Sequence, residues 1–164
     1  MEFEEYVRAR RAALFRFGVV LTGDPVLADE IVTDVLGVAF ERWAQVSAAE
    51  NVHAYVRKMV VNEYLSWRRR RARTSVVSDL DALLAPVSDG AAAYADQQQL
   101  VSELRGLPAK QRAAIVLRYF EGLSDAEIAG VLGSGENAVR SNISRGLARL
   151  RIQLTESLTQ EVVR

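Results

Sequence analysis

The sequence predicts an all-α protein: two small helical domains joined by a flexible linker. Apolar residues recur at three- and four-residue spacing in both halves, nothing resembles strand alternation over several segments, and one central stretch loses the helical pattern altogether. There is no internal repeat. With 164 residues, each lobe has some 70 residues and buries only a modest core.

The first domain spans residues 1–74 and reads as three helices. In the first, Phe3, Tyr6, Val7, Leu14, Phe17, Gly18 and Leu21 form the apolar pattern. Thr22-Gly23-Asp24-Pro25 ends it: Gly23 accepts positive φ, Asp24 caps the next helix, and Pro25 fits that helix's first turn. The second helix is expected from Pro25 to about Gln45, with Leu27, Ile31, Leu36 and Phe40 facing inward. The third begins near Val52. Its stripe is Val52, Tyr55, Val56, Met59 and Val60, and its C-terminal end is a basic run that complements the helix dipole.

Residues 75–95 read as the linker, mixing Ser, Asp, Pro and Gly around a short apolar patch of Leu80, Leu83 and Leu84. The second domain, residues 96–164, opens with a helix over 96–105 that Gly106 ends. Pro108 opens the next helix, with Ile115, Val116, Tyr119 and Phe120 as core positions. Ser124-Asp125-Ala126-Glu127 is a capping box, in which the serine hydroxyl takes the Glu127 amide and the Glu127 carboxylate reaches back to the Ser124 amide. That short helix ends at Leu132-Gly133, and a last helix runs from Glu136 through about Leu154.

Composition excludes much chemistry. Without cysteine there is no disulfide framework, thiolate zinc site or cysteine nucleophile, and the single His53 cannot build a multi-histidine metal site. No paired-carboxylate cleft, Gly-rich phosphate loop or serine–histidine arrangement emerges, so neither an enzyme nor a bound cofactor is expected. The N-terminus lacks the basic start and unbroken apolar core of a secretory signal, and no segment approaches a membrane span. A soluble, cytoplasmic protein with no membrane or small-molecule partner is the expectation.

Net charge is zero, yet strongly segregated. Residues 1–50 carry net −4, residues 51–74 net +6, residues 75–107 net −4, and residues 108–164 net +2. The basic block contains Arg68, Arg69, Arg70, Arg71 and Arg73 after Tyr64 and Trp67. An ordinary charge run is usually a solvated face, but aromatics beside arginines also suit nucleic acid.

The second domain points the same way. A short helix with the small Ala129 inside, a glycine turn at Gly133 and a following helix make a helix-turn-helix. Ile128, Leu132, Val139, Ile143, Leu147 and Leu150 would hold the pair together. Asn137, Arg140, Ser141, Ser144, Arg145 and Arg149 then lie on the outer face of the last helix. Arginine bonds guanine bidentately in the major groove and asparagine bonds adenine, while serines suit short phosphate or base contacts.

The stretch LRGLPAKQRAAIVLRYFEGLSDAEIAGVLGSGENAVRSNISRGLARLR resembles the fourth conserved region of bacterial extracytoplasmic-function sigma factors. The matching positions include Leu107, Pro108, Arg112, Leu123, Ser124, Glu127, Ile128, Ala129, Leu132, Gly133, Val139, Arg140, Ser141, Arg145, Gly146, Leu150 and Arg151. The first domain resembles the second conserved region. LTGDPVLADEIVTDVLGVAFERW is similar to the helix that family members dock on the polymerase, and NVHAYVRKMVVNEYLSWRRRR to the segment that reads the melted −10 element. Helix-turn-helix units are common, but both lobes in this order in so short a chain are highly specific.

The resemblance implies a promoter-specificity subunit working with core RNA polymerase, without cofactor. Asp29, Glu30, Val32, Thr33, Asp34 and Leu36 would face the polymerase clamp helices. Asn137, Arg140, Ser141, Ser144, Arg145 and Arg149 would read the −35 element. The loop around Asn51 and His53 would receive an unstacked base, Arg57, Lys58 and Asn62 would contact DNA nearby, and the run Arg68, Arg69, Arg70 and Arg71 would neutralise phosphates. In the family the linker threads the polymerase's RNA path, so Asp79, Asp81 and Asp89 could mimic RNA charge. An anti-sigma factor is a further implied partner. The chain departs from the pattern at Gly135-Glu136-Asn137-Ala138-Val139, where Ser-x-Gly-Thr-Val is usual, at Thr33-Asp34 for Gln-Glu, and at Tyr55 for Trp. The competing reading is a stand-alone helix-turn-helix regulator that binds operators without polymerase, which would usually dimerise.

Overall fold

The computed structural model describes residues 1–74 and 101–162. The chain divides into two compact units, Met1–Val87 and Ser88–Arg164. The linker expected over 75–95, with its Leu80, Leu83 and Leu84 patch and its acidic residues Asp79, Asp81 and Asp89, lies outside the described residues, as do residues 96–100. Every described element is a helix.

The first unit contains α1 (Phe3–Thr22), α2 (Pro25–Glu41), α3 (Trp43–Ser47) and α4 (Val52–Thr74). Gly23 ends α1 in the left-handed region at φ 73°, its N–H donating to Val19 O. The Asp24 carboxylate then accepts from the backbone N–H groups of Val26, at 2.9 Å, and Leu27, at 3.4 Å, starting α2 as expected. Leu14, Leu21, Ala28, Ile31, Val32, Val56, Val60 and Val61 are buried at the junction of α1, α2 and α4. Full burial of each larger aliphatic side chain contributes about 1.5–3 kcal/mol before entropy is counted.

Several inward assignments change. The second helix stops at Glu41 rather than Gln45: Arg42 leaves helical dihedrals at φ −114°, ψ 25°, and α3 restarts at Trp43. The restart places the Trp43 ring 5.4 Å from Phe3 and 5.3 Å from Tyr6, and its Nε1–H donates to Met1 O at 2.9 Å. Phe40, expected in the core, is 58% exposed, leaning on Phe3 with the rings 5.0 Å apart. In α4 the buried stripe is Val56, Val60, Val61, Tyr64 and Leu65, so the helix is rotated relative to the expected stripe and Tyr55 turns outward.

In the second unit residues 101–105 are helical, and Leu104 and Leu107 are buried. There follow α5 (Ala109–Tyr119), α6 (Asp125–Leu132) and α7 (Glu136–Val162). The core is built from Ala113, Ile115, Val116, Leu117, Ile128, Val139 and Ile143. Tyr119 and Phe120, expected inside, are 61% and 44% exposed, because α5 ends at Tyr119 and its buried face is complete by Leu117. Helix α7 runs past the expected end near Leu154 to Val162, consistent with the absence of any glycine or proline after Gly146. At Gly146 an added Cβ would come 2.5 Å from Ile115 Cδ1, so a larger residue there makes the end of the Ile115 side chain shift where α7 crosses α5.

Candidate nucleic-acid interface

The helix-turn-helix forms as the local residues dictate. Ser124 Oγ accepts the Glu127 N–H at 3.2 Å and caps α6. The Glu127 carboxylate does not return to the Ser124 amide; it accepts the Ser124 hydroxyl at 3.1 Å, so the box closes through side chains. Gly133, at φ 63°, terminates α6 with its N–H on Ala129 O, a backbone conformation that a residue with a Cβ adopts only with strain. Ala129 is buried, as the close approach requires, with Ile128, Val139 and Ile143; Leu132, Leu147 and Leu150 are half-buried.

The outer face of α7 carries the expected row. Asn137, Arg140, Ser144, Arg145 and Arg149 are exposed, and Ser141 is half-buried beside them. Their spacing of three and four residues puts them along one side of the helix. Arg140 is the most constrained. Its Nη2 donates to Asn137 Oδ1, and its Nη1 lies 3.5 Å from Asp125 Oδ2 and 3.8 Å from Glu136 Oε2. A row of arginines and an asparagine on a helix that is unobstructed by its own turn can enter a major groove and contact base edges and phosphates.

The basic helix α4 of the first unit is a second polar surface. Lys58, Asn62, Arg68 and Arg69 are exposed and Arg57 is half-buried. Asn51 is the cap of α4, its Oδ1 accepting the Ala54 N–H at 3.0 Å. His53 is held rather than free to swing: its Nδ1 lies 3.0 Å from the Tyr6 hydroxyl, which donates in the neutral tautomer that carries the ring proton on Nε2. Burial, with the nearby Arg57 and Arg10, pushes the His53 pKa down to about 4, so the ring is neutral at pH 7. Burial pushes the Tyr6 hydroxyl up to about 12.

The basic run divides. Arg70 turns back to Glu63 at 2.9 Å and Ser66 at 2.8 Å, and Arg71 sits over the Trp67 ring, 5.1 Å from its centroid. Tyr64 is only 1% exposed and stacks on Trp67, so it is closed to nucleic acid, contrary to what an aromatic beside the arginines suggests. Tyr55 is instead the exposed aromatic, sharing a helix side with Lys58 and Asn62. Its place in an apolar pattern hid it; its position ahead of a lysine and an asparagine at helical spacing was the available signal.

On α2, Asp29, Glu30, Thr33 and Asp34 are exposed, with Asp29 3.3 Å from Arg11 of α1. Val32 and Leu36 are not on this face. They are 1% and 7% exposed, because their register points them into the core with Ala28, Ile31 and Val35. The exposed apolar residues on α2 are Val26, Val38 and Phe40, which sequence reasoning did not assign to a surface. No helix among the described residues is long and apolar enough to cross a membrane.

These features define a helical protein of two units, one carrying a helix-turn-helix and the other a basic helix beside an acidic and apolar face. The family model described as Sigma-70, region 4, matches residues 97–150. The chain is 36% identical over 154 residues to the RNA polymerase sigma-E factor of Streptomyces coelicolor, covering 94% of this chain and 86% of that one. It is 30% identical over 149 residues to the ECF RNA polymerase sigma factor SigL of Mycobacterium tuberculosis, covering 88% of this chain and 84% of the relative. Among solved structures, the sigma factor RpoE of Bartonella quintana, in complex with the anti-sigma factor NepR, aligns with a TM-score of 0.74 at 27% identity, covering 93% of this chain and 96% of that one. The chain belongs to the RNA polymerase sigma factors, in their extracytoplasmic-function branch.

Proposed function

We propose that residues 96–164 read the −35 element through the outer face of α7, that residues 1–74 bind core RNA polymerase and the melted −10 strand, and that residues 75–95 link the two activities. The observation that carries this reading is the exposed row Asn137, Arg140, Ser144, Arg145 and Arg149 on the second helix of a capped helix-turn-helix. Ser141, half-buried, belongs to the same row.

Core polymerase docks on α2 through Asp29, Glu30, Thr33 and Asp34, with Val38 and Phe40 adding the apolar part of the contact. On α4, Tyr55 stacks an unpaired base while Lys58, Asn62, Arg68 and Arg69 hold the strand; Arg57 borders this surface. Asn51 and His53 shape the entrance as a cap and a neutral, tethered ring rather than as mobile readers. The protein acts in the cytoplasm by binding, not by catalysis, and an anti-sigma factor is its regulatory partner, as in the neighbour solved with NepR.

The test is transcription by holoenzyme reconstituted from core polymerase and the full chain. Replacing Arg140→Ala together with Arg145→Ala abolishes promoter-specific initiation while core binding stays near normal. Loss of core binding by a folded double variant contradicts the division of labour. Tight, sequence-specific DNA binding by the dimeric protein without polymerase supports a stand-alone regulator instead.

A further inference from the structure

Asp125 is the first residue of α6 and stands between arginines from two other helices. Its Oδ1 forms an ion pair with Arg118 Nη2 of α5, and its Oδ2 lies 3.5 Å from Arg140 Nη1 of α7. Arg118 is itself tied down, its Nε–H donating to Leu123 O at 3.1 Å in the turn before α6. The Asp125 side chain is 24% exposed against 54% for Arg140, so a partly buried, doubly paired carboxylate holds a guanidinium that reaches into solvent.

Two physical consequences follow for a base-reading arginine. A bidentate contact to guanine needs the planar fork at a set angle, and an arginine already held in place has surrendered its rotamer freedom before DNA arrives. A negative charge at this position also repels phosphate, so it lowers attraction to DNA of any sequence. One carboxylate thus raises discrimination and lowers indiscriminate binding.

We propose that Asp125 is a positioning residue for DNA reading: anchored through Arg118, it fixes the Arg140 guanidinium for base recognition and weakens attraction to DNA of the wrong sequence. This rests on the assignment of Arg140 as a base reader. Glu136 and Asn137 hold the same guanidinium, but both lie within a turn of it on α7; Asp125 alone among these three ties it to α6 and α5.

The experiment uses holoenzyme made from the full chain, assayed for binding to a duplex promoter library randomised across the −35 element at several salt concentrations. In Asp125→Asn, preference at the base pair read by Arg140 falls about five- to tenfold, within the range of one bidentate contact, while binding to mismatched sites holds or rises. Asp125→Glu, which keeps the charge, retains most of the preference. Arg140→Ala loses the preference outright, and adding Asp125→Asn to it changes the preference no further. Unchanged preference in Asp125→Asn, where Arg140→Ala loses it, overturns the inference and leaves the base-reader assignment standing. Equal loss at matched and mismatched sites with a lower melting temperature shows Asp125 to be structural and overturns it too. Intact preference in Arg140→Ala sinks the base-reader assignment itself.

Discussion

In the second unit most features that build the reading helix lie within a few residues of their cause: Ser124 caps α6 three residues before Glu127, Gly133 turns the chain one residue after α6 ends, and Glu136 and Asn137 hold Arg140 from within one turn. In the first unit the corresponding surface depends on distant partners. His53 is fixed by Tyr6, 47 residues earlier, and the restart at α3 is anchored by Trp43 on Met1, 42 residues away. Local chemistry thus builds one reading face, and long-range aromatic packing builds the other.

Three substitutions sharpen that contrast, in order of expected effect. Ile128→Ala removes a side chain with no exposed surface from the helix-turn-helix and costs about 2–5 kcal/mol. Thermal unfolding should show the second unit melting early while the transition of the first unit stays in place; movement of both would mean the units are not independent. Ser124→Ala deletes the cap of α6 and costs about 0.5–2 kcal/mol, with Gly or Asp at the same position recovering most of it. Denaturant titration of the second unit reads that difference, and a neutral alanine would deny the cap its role.

The smallest effect concerns pH. The folded state holds His53 at about 4, whereas the unfolded chain takes up a proton near the ordinary 6.5. The stability that depends on a neutral His53 is therefore fully present above pH 6.5 and declines as pH falls from 6.5 toward 4. Half-exposure screens the cost, so the decline is modest. His53→Asn should flatten the curve measured by denaturant titration at pH 7 and pH 5, and a curve of unchanged slope would remove His53 as its source.

Locality also separates what could be read from the sequence from what could not. The Asp24-Pro25 start of α2, the Gly23 and Gly133 ends, and the outward row on α7 follow from residues adjacent to the event. The apolar pattern points Phe40, Tyr119, Phe120 and Tyr55 inward, but each sits at the edge of its stripe, where a small rotation of the helix exposes it. The reverse error befalls Val32, which family likeness places on the polymerase face and helix register buries; at Leu36 the two readings disagree, and the periodicity that points it inward prevails. The break at Arg42 carries no glycine or proline and is set by where Trp43 packs. Asp125 looked like part of a cap; its pairing with Arg118 and Arg140 exists only once three helices meet.

The central claim is that α7 and α4 read different stretches of one promoter. Site-specific photocrosslinking in the open complex tests it directly, with the probe at Arg145 in one sample and at Tyr55 in another. The account predicts that Arg145 crosslinks to duplex DNA at the −35 element and Tyr55 to the unpaired non-template strand at the −10 element, both only when core polymerase is present. Crosslinks from both positions to the same duplex stretch, or crosslinks formed equally without polymerase, would contradict it.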